Sequence, residues 1–127
     1  MSFSNYLETE LLDHVFTNSA YTAPSTLYLA LFTGAPGEAG GGTEVSGSGY
    51  LRQTAAFTVS GNTATNSASI EFPAASGGNW GTVGWIGIMD ASSGGNMIIH
   101  SALDTAKAIN DGDVFRIPTG DLDITAS

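Results

Sequence analysis

The side chains in this sequence that could do chemistry are few and scattered. A hydrolytic triad needs a histidine within reach of a nucleophile and an acid that orients the ring. The two histidines are His14, beside Asp13 in a segment of helical spacing, and His100, near the end of an apolar strand. Neither accompanies a nucleophile elbow, because Gly47-Ser48-Gly49 runs into Tyr50 instead of completing a Gly-x-Ser-x-Gly turn. Paired carboxylates occur at Asp111/Asp113 and Asp121/Asp123. The run Asn110-Asp111-Gly112-Asp113 would bind Ca²⁺ if its oxygens converged, yet the full calcium loop is missing and the same letters make a hairpin turn through Asp-Gly. It is read here as a turn. Asp121 and Asp123 are expected on one wet strand face, within reach of Arg116 or Lys107 for little net energy. Carbohydrate recognition asks for an exposed aromatic with polar groups nearby; Trp80 and Tyr50 qualify by type, although an aromatic beside a glycine-rich loop also serves as a lid on a sandwich end. The chain has no cysteine, which excludes disulfides, thiolate zinc sites and cysteine nucleophiles. No catalytic residue, metal or cofactor is therefore expected.

The elements that would position these groups are mostly strands. In Trp80–Leu103 two apolar runs flank an Asp/Ser/Gly turn, the pattern of a long β-hairpin. Alternation puts Val83, Trp85, Gly87 and Met89 on one face and Gly84, Ile86 and Ile88 on the other, so both faces need covering. A second doubly apolar strand, Thr26–Thr33, follows the extended Tyr21-Thr22-Ala23-Pro24 and belongs beside the hairpin. Tyr50–Val59, Thr63–Ser67 and the run toward Ile70-Glu71-Phe72 alternate small polar and apolar residues, as do Lys107–Ile109, Val114–Ile117 and Leu122–Thr125; these suit outer strands separated by tight turns. Ahead of them, residues 4–17 form the one good helix, with Phe3, Leu7, Leu11 and Val15 at four-residue spacing and Leu12 and Phe16 alongside. Ser4 or Asn5 caps its start and Asn18 ends it. The stripe is expected to pack on the sheet, with docking on a partner as the alternative. Residues 34–49 are too rich in glycine to fold alone and are expected to be a flexible or neighbour-ordered loop. The fold class expected is mainly β, a β-sandwich or jelly-roll-like domain over residues 1–127 with one N-terminal amphipathic helix.

At 127 residues the length is that of one domain, able to bury roughly two thirds of its unfolded surface. Twelve acids against Arg52, Lys107 and Arg116 give a net charge of −9, which repels phosphate backbones and anionic membranes, so neither nucleic acid nor membrane is an expected partner. No basic leader or membrane span is evident. Small polar residues and few charges fit an extracellular or virion protein.

Ser4-Asn5-Tyr6-Leu7-Glu8, Leu11–Phe16, Tyr21-Thr22-Ala23-Pro24, Leu27-Tyr28-Leu29-Ala30-Leu31, Trp80-Gly81-Thr82-Val83 and Gly87–Ala91 with Ser93-Gly94-Gly95-Asn96 together resemble a family of small tailed-bacteriophage virion proteins. Its members carry the label of tail fibre protein, and β-rich domains like them also serve as capsid decoration or cement proteins. The resemblance implies a structural role without catalytic residues. A fibre needs a shaft of repeats or coiled coil, and this sequence has neither. The leading expectation is thus a decoration protein on the outer capsid surface, a homotrimer on the major capsid protein. The alternative is a receptor- or glycan-binding module of a tail fibre or baseplate. Candidate partner contacts are Leu7, Leu11 and Val15 on the helix, Glu38 and Glu44 in the glycine-rich loop, and the aromatics Tyr50 and Trp80.

Overall fold

The computed structural model describes residues 2–126. Its centre is the expected hairpin. Strands β8 (Gly81–Met89) and β9 (Met97–Ile109) pair antiparallel, and β2 (Leu27–Gly34) pairs antiparallel with the other edge of β8, Leu29 opposite Ile88 and Leu31 opposite Ile86. The main sheet runs β1-β9-β8-β2-β3, where β1 is Ser2–Phe3 and β3 is Thr43–Glu44; β4 (Gln53–Ala55) also pairs with β2. At Ala56 the chain leaves this sheet. It then forms β5 (Phe57–Ser60) and β6 (Thr63–Asn66), which make a three-stranded sheet with β11 (Asp123–Thr125), while β7 (Ile70–Glu71) pairs with β10 (Arg116–Ile117). The protein is mainly β, with antiparallel sheets and one N-terminal helix, as its alternating patterns require.

The main core lies between the large sheet and the two small ones. Leu29, Leu31, Ile86, Ile88 and Ile99 from the first layer meet Ile70, Phe72, Phe115 and Leu122 from the second, all buried. A register shift between Val83 and Trp85 modifies the expected pattern: it sends Val83 into the main core instead of the face it would share with Trp85 by strict alternation. Because of it, Val83 pairs with Lys107 but Trp85 with Ala102, so Lys107–Ile109 is the end of β9 and not a separate strand.

The opposite face of the large sheet carries a smaller cluster of Ala30, Phe32, Met89 and Met97, with Tyr28 and Trp85 half-buried beside it. No second sheet covers it among the described residues. Its cover is the first half of the glycine-rich segment: Pro36 is buried, and the backbone N–H of Asn5 donates to the Glu38 carbonyl at 2.8 Å. Gly42, at φ +89°, folds the chain back on itself so closely that a Cβ there would lie 2.6 Å from the Ala35 carbonyl oxygen.

Helix α1 (Asn5–Phe16) is capped by Ser4, whose Oγ accepts from the Leu7 N–H at 3.2 Å and donates to the Met97 carbonyl. The helix is thereby stapled to the start of β9. Its end comes where expected, with Asn18 in the left-handed region at φ 58°.

Candidate functional site

The strongest polar constellation is built by the second half of the glycine-rich segment. β3 brings Glu44 alongside β2, and the chain then turns through Val45, which is buried, to Tyr50 and Arg52. Arg52 grips Glu44 through two hydrogen bonds of 2.8 Å, Nε to Oε2 and Nη2 to Oε1, and the Tyr50 hydroxyl donates to Oε2 at 2.6 Å while accepting from the Leu31 N–H. The remaining guanidinium nitrogen donates to the carbonyls of Ala91 and Gly94 in the β8–β9 turn. Burial works against the Glu44 charge, but the hydrogen bonds from Arg52 and Tyr50 and the guanidinium's charge outweigh it and hold this carboxyl below its ordinary range. Burial and the bond to Glu44 push the Tyr50 hydroxyl well up. Every strong donor and acceptor in the cluster is thus engaged within the chain. It clamps β3, β4 and the central hairpin together and offers no free reactive group.

Trp80 is also taken up internally. It is 5% exposed, its indole N–H donates to the Ser48 carbonyl at 3.0 Å, and its ring meets Tyr50 and Phe72 edge-on at 5.5 and 6.5 Å. Tyr50 stacks on Phe72 at 6.0 Å, and Phe72 meets Phe115. These aromatics close one end of the core, the lid role open to them from the sequence, and Trp80 has no face left for a sugar ring. The glycine-rich segment 34–49, read from the sequence as a flexible or neighbour-ordered loop, touches its own chain at two places, Met97 in its first half and Trp80 in its second.

Of the other candidate contacts, Leu7 is buried and Leu11 half-buried against the core, whereas Val15 is exposed. With Val15 go Leu12 and Phe16, 58% and 77% exposed; the last turn and a half of the helix projects past the sheet it was expected to cover. The N-terminal half of the stripe is the part used internally, where α1 meets the sheet chiefly at β1 and β9. Glu38 lies on the rim of the first half of the loop, with Oε1 3.9 Å from Nε2 of His100. His14 Nδ1 is 3.0 Å from the Ser19 carbonyl oxygen, closing the helix end. The carboxylate pairs serve turns and strands: Asp113 Oδ2 accepts from the Asn110 N–H at 2.9 Å, and Asp123 Oδ1 from the Thr65 hydroxyl at 2.6 Å. Arg116 pairs with Glu71 instead of Asp121 or Asp123. Two groups that the sequence reading gave no contact role share the covered face of the large sheet: Trp85, half-buried, and His100, opposite Gly87 on β9. Their signal in the sequence was parity, since strict pairing places both on the side away from the main core.

The described residues thus form an antiparallel β-protein whose strongest polar cluster is committed to an internal clamp, with Leu12, Val15 and Phe16 exposed at the helix end and Leu51, Val59 and Val114 exposed elsewhere. Residues 2–125 match the model of the family described as podophage GP4 fiber I protein gp80, and the chain belongs to that family of phage virion fibre proteins. No curated protein matches the chain.

Proposed function

We propose that this chain is a globular structural module of a phage fibre, assembled through the projecting end of its helix. The family match over nearly the whole chain carries the reading. The site that would make the assembly is the Leu12–Val15–Phe16 cluster, three large apolar side chains at i, i+3 and i+4 that the chain's own core leaves exposed. The occupant is a second copy of this chain. At a net charge of −9, two copies repel across most of their surfaces, and an uncharged apolar projection is where they meet at least electrostatic cost. A trimer is the expected grouping, and sedimentation equilibrium of the purified protein tests it. A mass of about three chains supports the trimer, and a single-chain mass at high concentration removes it.

Capsid decoration is the second reading, supported by a body without heptads or repeats from which to build a shaft. Labelling of intact virions together with copy number by quantitative gel separates the two. Antibody at the tail and a small copy number support the fibre; label over the head with a copy number matching the capsid lattice replaces it with decoration.

A further inference from the structure

We propose, building on assembly through the helix end, that Leu12, Val15 and Phe16 of one copy seat in a groove at the other edge of the next copy's large sheet, so that the contact is head-to-tail. The groove, of about 410 Å³, opens where the chain leaves the large sheet at Ala56, between strands β2 and β4 on one side and residues 68–70 on the other. Its floor is part of the main core. Ala55 and Ile70 are buried there, and Leu27 and Phe57 are half-buried against the same cluster. An apolar side chain entering the groove would therefore extend a core that already exists.

Charge, position and hydrogen bonding each point to this occupant. No charged residue lines the groove, in a chain that carries twelve acids. The recess of about 430 Å³ between β9 and residues 115–123 is instead ringed by Asp104, Lys107, Arg116, Asp121 and Asp123, charges that an apolar cover would have to desolvate. An uncharged apolar projection loses least in the uncharged groove. As to position, α1 meets the sheet chiefly at β1 and β9, whereas β2 and β4 wall the groove, and β8 lies between them. Phe16 is 77% exposed and does not enter the groove of its own chain. A projection and a recess on different strands make a heterologous contact, which closes into a trimer or continues into a longer fibre, where a self-complementary contact stops at two copies. The last turn of a helix also brings carbonyls without intrahelical partners. That of Asp13 accepts from Thr17 and Ser19, while those of His14, Val15 and Phe16 accept no hydrogen bond among the described residues. Ser25, Thr26, Thr54 and Ser69 place four hydroxyl donors along the groove to meet them.

The chain has no cysteine, so single engineered thiols report the contact without background. Thr17→Cys, which keeps all three apolar side chains, is mixed under mild oxidation with Ser69→Cys, an exposed position on the groove, and the products are separated on a non-reducing gel. The mixed dimer is expected to exceed either homodimer at least about tenfold, because thiols held at one contact react at a raised effective concentration. Ala68→Phe fills the groove from an exposed position. It is expected to leave thermal unfolding unchanged and to weaken self-association in sedimentation at least about tenfold, the loss of one central apolar contact. Homodimers of Thr17→Cys as the main product, or unchanged association of Ala68→Phe, overturn the groove while leaving assembly through the helix end in place. A single-chain mass of the unmodified protein at every concentration overturns both.

Discussion

Glu44 and Asn66 show how much of this structure rests on single polar side chains. Glu44 accepts from Arg52, whose side chain is only 8% exposed, so removing the carboxylate charge leaves the guanidinium short of its main partner. Glu44→Gln is expected to cost about 2 kcal/mol at pH 7, read as a lowered urea midpoint. The pH dependence has a definite sign. The folded carboxyl titrates below its unfolded value of about 4.3, so its contribution is complete above that pH and is lost as the pH falls through the folded value. The gap between wild type and Glu44→Gln should therefore be full at pH 6 and close as the pH drops below about 4; a gap that stays constant to low pH would remove the charge from the explanation. Asn66 is 1% exposed and fully satisfied, its Nδ2 donating to the carbonyls of Ala68 and Pro118 and its Oδ1 accepting from the N–H groups of Gly120 and Leu122. It ties the 118–122 turn to β6. Asn66→Ala strands these backbone groups and is expected to cost about 3 kcal/mol by denaturant unfolding. Neither role was legible in the sequence, where Glu44 was one acid in a polar loop and Asn66 one residue of the small polar run Thr63–Ser67. Their partners lie up to 56 residues away and come together only through the fold.

At the scale of elements, periodicity read truly where one pattern determined the outcome. The helix has the expected cap and end, the hairpin and the flanking β2 lie where their doubly apolar runs require, and the turns at Gly61 and Gly112 fall between the expected strands. Periodicity did not show how far the helix overlaps the sheet, because a stripe of apolar residues looks the same whether its own core or another copy covers it. Nor did it show that the glycine-rich segment is anchored. Glycine signals backbone freedom, and here part of that freedom is spent on close approach: a Cβ at Gly47 would lie 2.4 Å from Cδ1 of Trp80, a ring already fixed by its bond to the Ser48 carbonyl. Gly47→Ala is thus expected to destabilise the protein by about 1–3 kcal/mol, with the near-UV signal of Trp80 altered. An unchanged stability would mean that this half of the segment yields freely and does not seal the aromatic end of the core. The projecting helix end gives the opposite expectation. Val15→Ser and Phe16→Ser touch no buried contact and should leave thermal unfolding within about 0.5 kcal/mol of wild type while reducing incorporation into virions.

For the whole molecule the decisive balance is between a net charge of −9 and an apolar contact small enough to be tipped by it. Of the three cationic side chains, Arg52 is used inside the chain and Arg116 pairs with Glu71, so copies of this protein have little with which to attract one another electrostatically. If they associate through Leu12, Val15 and Phe16, the favourable part is removal of apolar surface from water, which salt does not weaken, and the unfavourable part is long-range repulsion, which salt screens over a Debye length of about 10 Å at 0.1 M. Self-association should therefore strengthen as sodium chloride rises, the reverse of what an interface held by ion pairs would do. Sedimentation velocity at low and high salt checks this, with the Val15→Ser/Phe16→Ser double variant expected to sediment as a single chain in both. Assembly that weakens as salt is added would place the contact on the charged face of the protein and away from the helix end. The expected salt dependence also suits a virion component, since an apolar contact between acidic copies holds best in media where their repulsion is already screened.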